Sequence, residues 1–178
     1  MSLMDAARWD QEFRQVYTRA TAAWKAGRRN PDSLLDAADR AFLATGGCTA
    51  QELFDFVDDE QLWGEPDLET AAAVQAIRRR YFWEVQQGQP TGRIARMNDL
   101  PAKTDVVEEI AWLPRLMVKA RLKLRGEMPP ELMYGCGGDR PFLQKFGLTL
   151  AGFLQLAWES GPDDRPLIDA VRRGAQRA

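Results

Sequence analysis

The sequence of 178 residues contains no histidine, and this absence restricts its chemistry more than any other feature. Histidine is the commonest general base and a frequent metal ligand, so Ser-His and Cys-His nucleophile pairs are excluded within one chain. The two cysteines, Cys48 and Cys136, form no Cys-x-x-Cys pair, which argues against a zinc site and against a disulfide framework. The sequence therefore predicts no metal site and no cofactor, and it disfavours an enzyme.

Long apolar runs and an excess of basic charge are also missing. No stretch approaches the roughly 18 apolar residues of a membrane span, and no signal-peptide pattern is present, so we expect a cytoplasmic protein without a membrane partner. The net charge of −2 argues against a uniformly basic, nucleic-acid-binding surface. Met1-Ser2-Leu3 before Met4 is typical of an expression tag, with Met4 as the native start.

What the sequence does contain is an internal similarity. Residues 39–53 read DRAFLATGGCTAQEL, and residues 139–153 read DRPFLQKFGLTLAGF. The positions that are identical in both are Asp39/Asp139, Arg40/Arg140, Phe42/Phe142, Leu43/Leu143, Gly47/Gly147 and Thr49/Thr149. The alternative is a chance likeness of two helical corners, because Gly-x-Thr is common at helix boundaries.

Each stretch predicts a helix that ends at glycine in the left-handed conformation, followed by a helix that begins at a threonine cap. We therefore expect an all-α helical bundle built from two tandem copies of a helix–Gly–Thr–helix unit. The first helical repeat covers 1–88, a linker 89–104 and the second repeat 105–178, with the copies packed as one globule. Phe42 and Phe142 should anchor equivalent cores, and Cys48 should be buried as a hydrophobic staple.

Apolar periodicity and cap residues predict the individual helices. Residues 106–112 are expected to be helical or rich in turns, and Asp139 is expected to cap the helix that follows it. The predicted helices are Asp5 to Ala26, Asn30 to Thr45, Thr49 to Leu62, Asp67 to Gln87, Pro114 to Arg125, Thr149 to Trp158 and Asp163 to Arg173.

Two charged segments allow competing interpretations. Residues 52–69 carry eight acidic side chains and no basic one, which favours a cation site, a docking surface for a basic partner, or a solvated helix face with acidic helix starts. In the basic helix 114–125, Val118 and Leu122 lie among cations. They indicate contact with the other copy or a second subunit, unless Lys and Arg stems cover them.

The stretch from Leu113 to Leu154 resembles a bacterial family, the domain of unknown function family 5069. Its pattern is an LPR-x-x-DK-x-R helix, a glycine, a tyrosine and an LD-x-x-x-L-x-x-x-G corner, and Val118 replaces the acidic residue before the lysine. The resemblance implies an all-helical fold and supplies no activity. The residues that carry it are Leu113, Pro114, Arg115, Lys119, Arg121, Gly126, Tyr134, Asp139, Leu143 and Gly147.

Three functions compete at this point. The first is a non-catalytic binding or assembly module, with a homo-oligomer as its partner. The second is a site for a small anionic ligand, or an enzymatic site, in the second repeat, because Arg and Lys bind phosphate and carboxylate groups. The third, nucleic-acid contact through the basic helix 114–125, is disfavoured by the acidic stretch. The candidate ligand-binding residues are Arg115, Lys119, Arg121, Tyr134, Asp139 and Arg140.

Overall fold

The computed structural model describes residues 5–176, and almost all of its regular structure is helical. The predicted all-α class is therefore confirmed. The chain divides after Gly88 into two compact units. Within residues 5–176, no helix is both long enough and apolar enough to span a membrane. The predicted tag and the native start at Met4 lie outside the described residues.

The first unit contains five α-helices, and each begins at a side chain that accepts a hydrogen bond from a backbone amide of the first turn. Such a cap satisfies an amide that a helix start leaves without a partner. The helices are α1 (Ala6–Lys25), α2 (Pro31–Leu34), α3 (Ala37–Thr45), α4 (Ala50–Trp63) and α5 (Leu68–Glu84). The single helix predicted from Asn30 to Thr45 is thus two helices, because Leu35 is extended (φ −119°, ψ 140°) and Asp36 starts a new helix.

The second unit contains a 3₁₀ turn, a short hairpin and four α-helices. The hairpin corrects the prediction of a helical or turn-rich segment at 106–112. Glu108 and Glu109 have φ of 47° and 66°, the left-handed pair that a two-residue type I′ hairpin loop requires. The elements are the turn Met97–Asp99, β1 (Val106–Val107), antiparallel β2 (Ile110–Ala111), α6 (Leu113–Arg125), α7 (Asp139–Lys145), α8 (Leu150–Ser160) and α9 (Arg165–Ala175).

The α3–α4 and α7–α8 corners have the same local structure. In each, the carbonyl of the last buried leucine, Leu43 or Leu143, accepts from the amides three and five residues later, at 2.9–3.1 Å. Gly47 and Gly147 then take φ of 68° and 66°, and a threonine caps the next helix. Tandem duplication remains a prediction, and this likeness supports it.

Burial at the two corners differs from the expectation for the phenylalanines. Phe42 and Phe142 are only half-buried, whereas Leu43 and Leu143 are 0% and 1% exposed. The leucines are therefore the core anchors, since they lie on the inner face of the short helix. Cys48 is buried, as predicted.

Residues 89–104, predicted to be a linker, belong to the second unit. Leu100 is buried in a cluster with Leu122 and Leu132, and Val118 packs against that cluster. The second apolar face of α6 is therefore covered at least in part by segments of its own unit. Sequence periodicity did not indicate this packing because the covering segment has no regular structure of its own.

The acidic stretch 52–69 is used within the first unit. Glu52 completes a capping box with Thr49, and Asp58 accepts from the indole of Trp24 at 2.7 Å. Asp55 accepts from the side chain of Gln51, and Glu60 accepts from the hydroxyl of Tyr17. Asp67 accepts from the backbone amide of Thr70, and Glu69 accepts from the guanidinium of Arg14. In the part of the chain that the structure describes, no group of three or more cysteines and acidic residues is placed to hold a metal ion. These carboxylates serve as caps and internal acceptors.

Candidate functional site

A buried ion pair between Lys119 and Asp139 forms the polar centre of the second unit. The side chains are 2% and 0% exposed, and Lys119 Nζ donates to Asp139 Oδ2. The same ammonium donates to Cys136 Sγ at 3.3 Å. The carboxylate also accepts from the backbone N of Gly135 at 2.9 Å and from Trp112 Nε1 at 3.0 Å. The pair is tolerated because every buried charge has a counter-charge and further hydrogen bonds.

Backbone geometry turns the Asp139 carboxylate inward, although the sequence predicted it to be a helix cap. Asp139 is the first residue of α7, and Gly138 occupies the cap position without a side-chain bond. A Cβ on Gly138 would lie 2.2 Å from the ring of Trp112, so only glycine fits beneath that ring. Trp112 itself has φ of 71°, an uncommon conformation for a bulky residue. These constraints bring the indole N–H onto the carboxylate.

Tyr134 and Arg140 complete the buried network around the loop 134–140. The Tyr134 hydroxyl donates to the carbonyl of Leu150 at 2.8 Å, which ties the loop to α8. Burial, and secondarily the charge of Asp139, hold the pKa of Tyr134 well above its usual value, so its phenol stays neutral. Arg140 is buried and donates to the carbonyl of Gly135 at 2.7 Å. Both side chains bind the protein's own backbone.

The two remaining candidates hold other segments in place. Arg115 donates to the carbonyl of Pro101 at 2.7 Å and so fastens residues 89–104 onto α6. Arg121 donates to the carbonyl of Gly161 at 2.9 Å and to Asp164 Oδ1 at 2.5 Å, at the turn between α8 and α9. The six predicted residues therefore do not converge on one cleft.

The other cations of α6 are likewise engaged within the second unit. Lys119 and Lys123 are each 1% exposed, and Arg125 Nε donates to Glu127 at 2.7 Å. Such a helix does not present the row of free cations that phosphate backbones attract.

The first unit contains an ion pair at equivalent positions that sequence reasoning missed, although its cation is half-exposed. Arg19 Nη2 donates to Asp39 Oδ1 at 2.6 Å, and both residues stand 100 positions before Lys119 and Asp139. The signal was available in the fixed offset between the two stretches. It was missed because the pairing joins two helices and no local pattern indicates it.

A groove of about 380 Å³ lies at the α7–α8 corner of the second unit, and no pattern in the sequence indicated it. We call it the corner groove; it is lined by Gln144, Lys145, Phe146, Gly147, Leu148, Ala170, Arg173 and Gly174. Lys145 and Arg173 are exposed, and within residues 5–176 neither forms an ion pair. Among the described lining residues none is acidic. The groove thus combines an apolar floor with two cations.

At the corresponding corner of the first unit, side chains fill the space over the glycine. A Cβ on Gly47 would lie 2.6 Å from Arg78 Nη2 and 2.7 Å from the ring of Phe82, whereas nothing lies within 4 Å of a Cβ on Gly147. In the second unit α9 instead approaches through Gly174, whose Cβ would meet the Phe146 carbonyl at 2.1 Å. The absence of a side chain at Gly174 lets α9 pack this closely against Phe146.

Arg78 is an unusual buried cation in the first unit. It is 1% exposed, donates to Gln86 Oε1 at 2.7 Å and lies over the Phe82 ring at 5.2 Å. Among the described residues, no carboxylate forms an ion pair with it, and its Nε has no hydrogen-bond partner. Desolvation by burial lowers its pKa, so this guanidinium is held at a cost in free energy.

Comparisons with known proteins do not assign a function to these sites. The resemblance to a bacterial family of unknown function stays a prediction. Comparison of the chain with family models, curated proteins and solved structures gave no match in any of the three.

Proposed function

We propose that the protein is a non-catalytic binding protein and that the corner groove binds a small aromatic carboxylate. The observation that carries this proposal is the groove itself, a cavity of about 380 Å³ lined by two cations together with the apolar residues Phe146, Leu148 and Ala170. Ligand sites for small molecules are typically concave, mostly apolar and equipped with a few polar groups that fix orientation. The groove lies within the usual size range of such sites, roughly 300–1,000 Å³.

The floor of the groove supports a flat apolar ligand. Phe146 is buried, and Leu148 and Ala170 add aliphatic surface. In the first unit, the face of Gly47 is covered by the ring of Phe82. The Gly47 corner therefore has room for an aromatic ring against the glycine. The equivalent space over Gly147 is open, so a ring of a ligand fits there.

The two cations support a negative charge on the ligand. Lys145 and Arg173 approach the groove from α7 and α9, and Arg can hold a carboxylate through two parallel N–H donors. The structural alternative is that both residues only complement the partial negative charge of helix C-termini, since each lies in a last turn. Arg172 provides the matched control, because it shares that last turn but pairs with Glu108, which is not among the groove residues.

Thermal unfolding with phenylacetate as the probe tests the proposal. A ligand that binds only the native state at ten times its Kd stabilises that state by about 1.4 kcal/mol, which is a measurable rise in Tm. We expect this rise in the wild type and in Arg172→Ala, and its loss in the double variant Lys145→Ala/Arg173→Ala. Inorganic phosphate, which lacks the ring, should give a smaller rise. An absent phenylacetate effect, or an equal effect in the double variant, contradicts the proposal.

The proposed cellular location follows from the thiols. Cys48 and Cys136 are both free, and free thiols are typical of proteins in a reducing compartment. This supports a cytoplasmic protein, which cell fractionation with an antibody against the chain would test.

A further inference from the structure

Cys136 is the more accessible of the two nucleophilic side chains that meet in the buried network, and the other is the amine of Lys119. The side chain is half-buried, and its sulfur accepts from Lys119 Nζ at 3.3 Å, across 17 positions of sequence. Gly135 and Gly137 flank it, so the residues on either side in the sequence carry no side chain that could shield the sulfur. Lys119, in contrast, is almost fully buried. A small oxidant from solvent therefore reaches the sulfur before it reaches the amine.

We propose that Lys119 and Cys136 form a reversible sulfenamide cross-link when a hydroperoxide oxidises the thiol. Thiolates react with hydroperoxides to give sulfenic acids, and a sulfenic acid condenses with a nearby nitrogen to a sulfenamide. The Nζ–Sγ distance of 3.3 Å places that nitrogen in van der Waals contact with the sulfur, so bond formation needs only a small side-chain movement.

The chemistry balances in two steps. The Cys136 thiolate attacks one peroxide oxygen, the O–O bond breaks, and the released hydroxide takes a proton from the Lys119 ammonium to form water. The neutral amine nitrogen then attacks the sulfur of the sulfenic acid, the S–O bond breaks, and the hydroxyl leaves as a second water with an amine proton. Sulfur is oxidised by two electrons, and one hydrogen peroxide is reduced to two waters. A thiol reductant reverses the link by reducing the S–N bond.

The cross-link changes the electrostatics of the network. The linked nitrogen carries no positive charge, so Asp139 loses its counter-charge and keeps only the donors of Trp112 and Gly135. Oxidation at the half-buried sulfur is thereby transmitted to a carboxylate that is 0% exposed. The pair would act as a peroxide-sensitive switch on the loop 134–140.

The test is mass spectrometry of the folded full chain after treatment with hydrogen peroxide. The variant Cys48→Ser is used throughout, because it excludes an intramolecular disulfide between Cys48 and Cys136, which would give the same mass change. We expect an intact mass lower by about 2 Da, a peptide map in which the Cys136 and Lys119 peptides are joined, and recovery of the original mass with dithiothreitol.

Two further variants, made in the same background, separate the link from simple oxidation. Cys136→Ser should show no loss of mass. Lys119→Arg keeps a cation beside Asp139 but removes the amine, so the thiol should instead gain about 16 Da as a sulfenic acid that dimedone traps. If peroxide gives only oxygen addition at Cys136 in the Cys48→Ser chain, or joins the sulfur to the amide of Gly137, the proposal is wrong. Because that result comes from a chain with Lys119 intact, it decides the question even if Lys119→Arg fails to fold.

Discussion

Replacing Lys119 by methionine probes the buried ion pair most directly. Methionine keeps most of the unbranched stem and removes the ammonium, so the change is largely electrostatic. Asp139 then keeps two hydrogen bonds, from the amide of Gly135 and the indole of Trp112, but no positive partner within 4 Å among the described residues. A carboxylate that is 0% exposed must then stay charged without compensation or take up a proton on folding.

The expected loss of stability is about 3–5 kcal/mol, the usual cost of removing one partner of a buried pair. This is a large part of the roughly 5–15 kcal/mol that stabilises a typical domain. The double variant Lys119→Met/Asp139→Asn should recover part of that loss, because it leaves no buried charge. The resulting double-mutant cycle measures the coupling between the two residues.

Hydrogen exchange in increasing urea is the suitable assay, because it reports each segment separately. Exchange of the α6 and α8 peptides should become faster in Lys119→Met. The α1 and α4 peptides belong to the other compact unit and serve as the internal control. Arg96→Met is the control variant, since Arg96 pairs with Asp99 on the surface at 84% exposure and should leave exchange unchanged.

Two results would refute the reasoning. One is a loss below about 1 kcal/mol in Lys119→Met, which is the size of an ordinary surface effect. The other is a double variant that is no more stable than the weaker single variant, because the two charges would then not be coupled.

Three further changes have defined outcomes. Arg78→Met removes a buried guanidinium that forms no ion pair with a described carboxylate. It should raise the free energy of unfolding of the first unit by about 1–3 kcal/mol, which appears as a higher urea midpoint. Tyr134→Phe should cost about 1 kcal/mol at neutral pH through its lost bond to Leu150, and it should also weaken the alkaline loss of stability. Leu143→Ala should cost about 2–5 kcal/mol, and the half-buried Phe142→Ala distinctly less than the 3–5 kcal/mol typical of a core phenylalanine.

The pH dependence of the tyrosine variant follows from the raised pKa of Tyr134. The pKa of Tyr134 is higher in the folded state than in the unfolded state, where it is near 10. The contribution of its neutral phenol to folding stability is therefore complete below about pH 10 and is lost as the pH rises toward the folded pKa. Urea midpoints between pH 8 and 11 check this. An identical alkaline slope in the wild type and in Tyr134→Phe would contradict the assignment of that slope to Tyr134. A lower urea midpoint for Arg78→Met would contradict the account of its burial. Equal costs for Leu143→Ala and Phe142→Ala would contradict the difference in packing between the two residues.

Local signals in the sequence carried most of the helix assignments. Thr49 and Gly147 were predictable because a cap or a left-handed stop depends on residues within a few positions. The break at Leu35 was missed because no glycine or proline marks it. The hairpin was missed because Glu108 and Glu109 occupy a loop where asparagine and glycine are the usual indicators.

The candidate site was less predictable, because it depends on which helices face each other. Several cations on one helix, with no acidic residue between Pro114 and Arg125, favoured an anion site, but Lys119 pairs with Asp139 in the interior. Leu100 could not be assigned to a core from its irregular surroundings. The corner groove depends on the close approach of Gly174, which only the packing of α9 reveals.

The division of the chain after Gly88 sets an order of events during synthesis. Every helix of the first unit is complete before residue 89 is added, so this unit can fold while the second is still being made. At the usual translation rate, the remaining 90 residues take roughly 5–18 s, whereas helical domains fold in microseconds to milliseconds. The nascent chain can therefore bury Cys48 and Arg78 before Cys136 leaves the ribosome, which keeps the two thiols apart during synthesis.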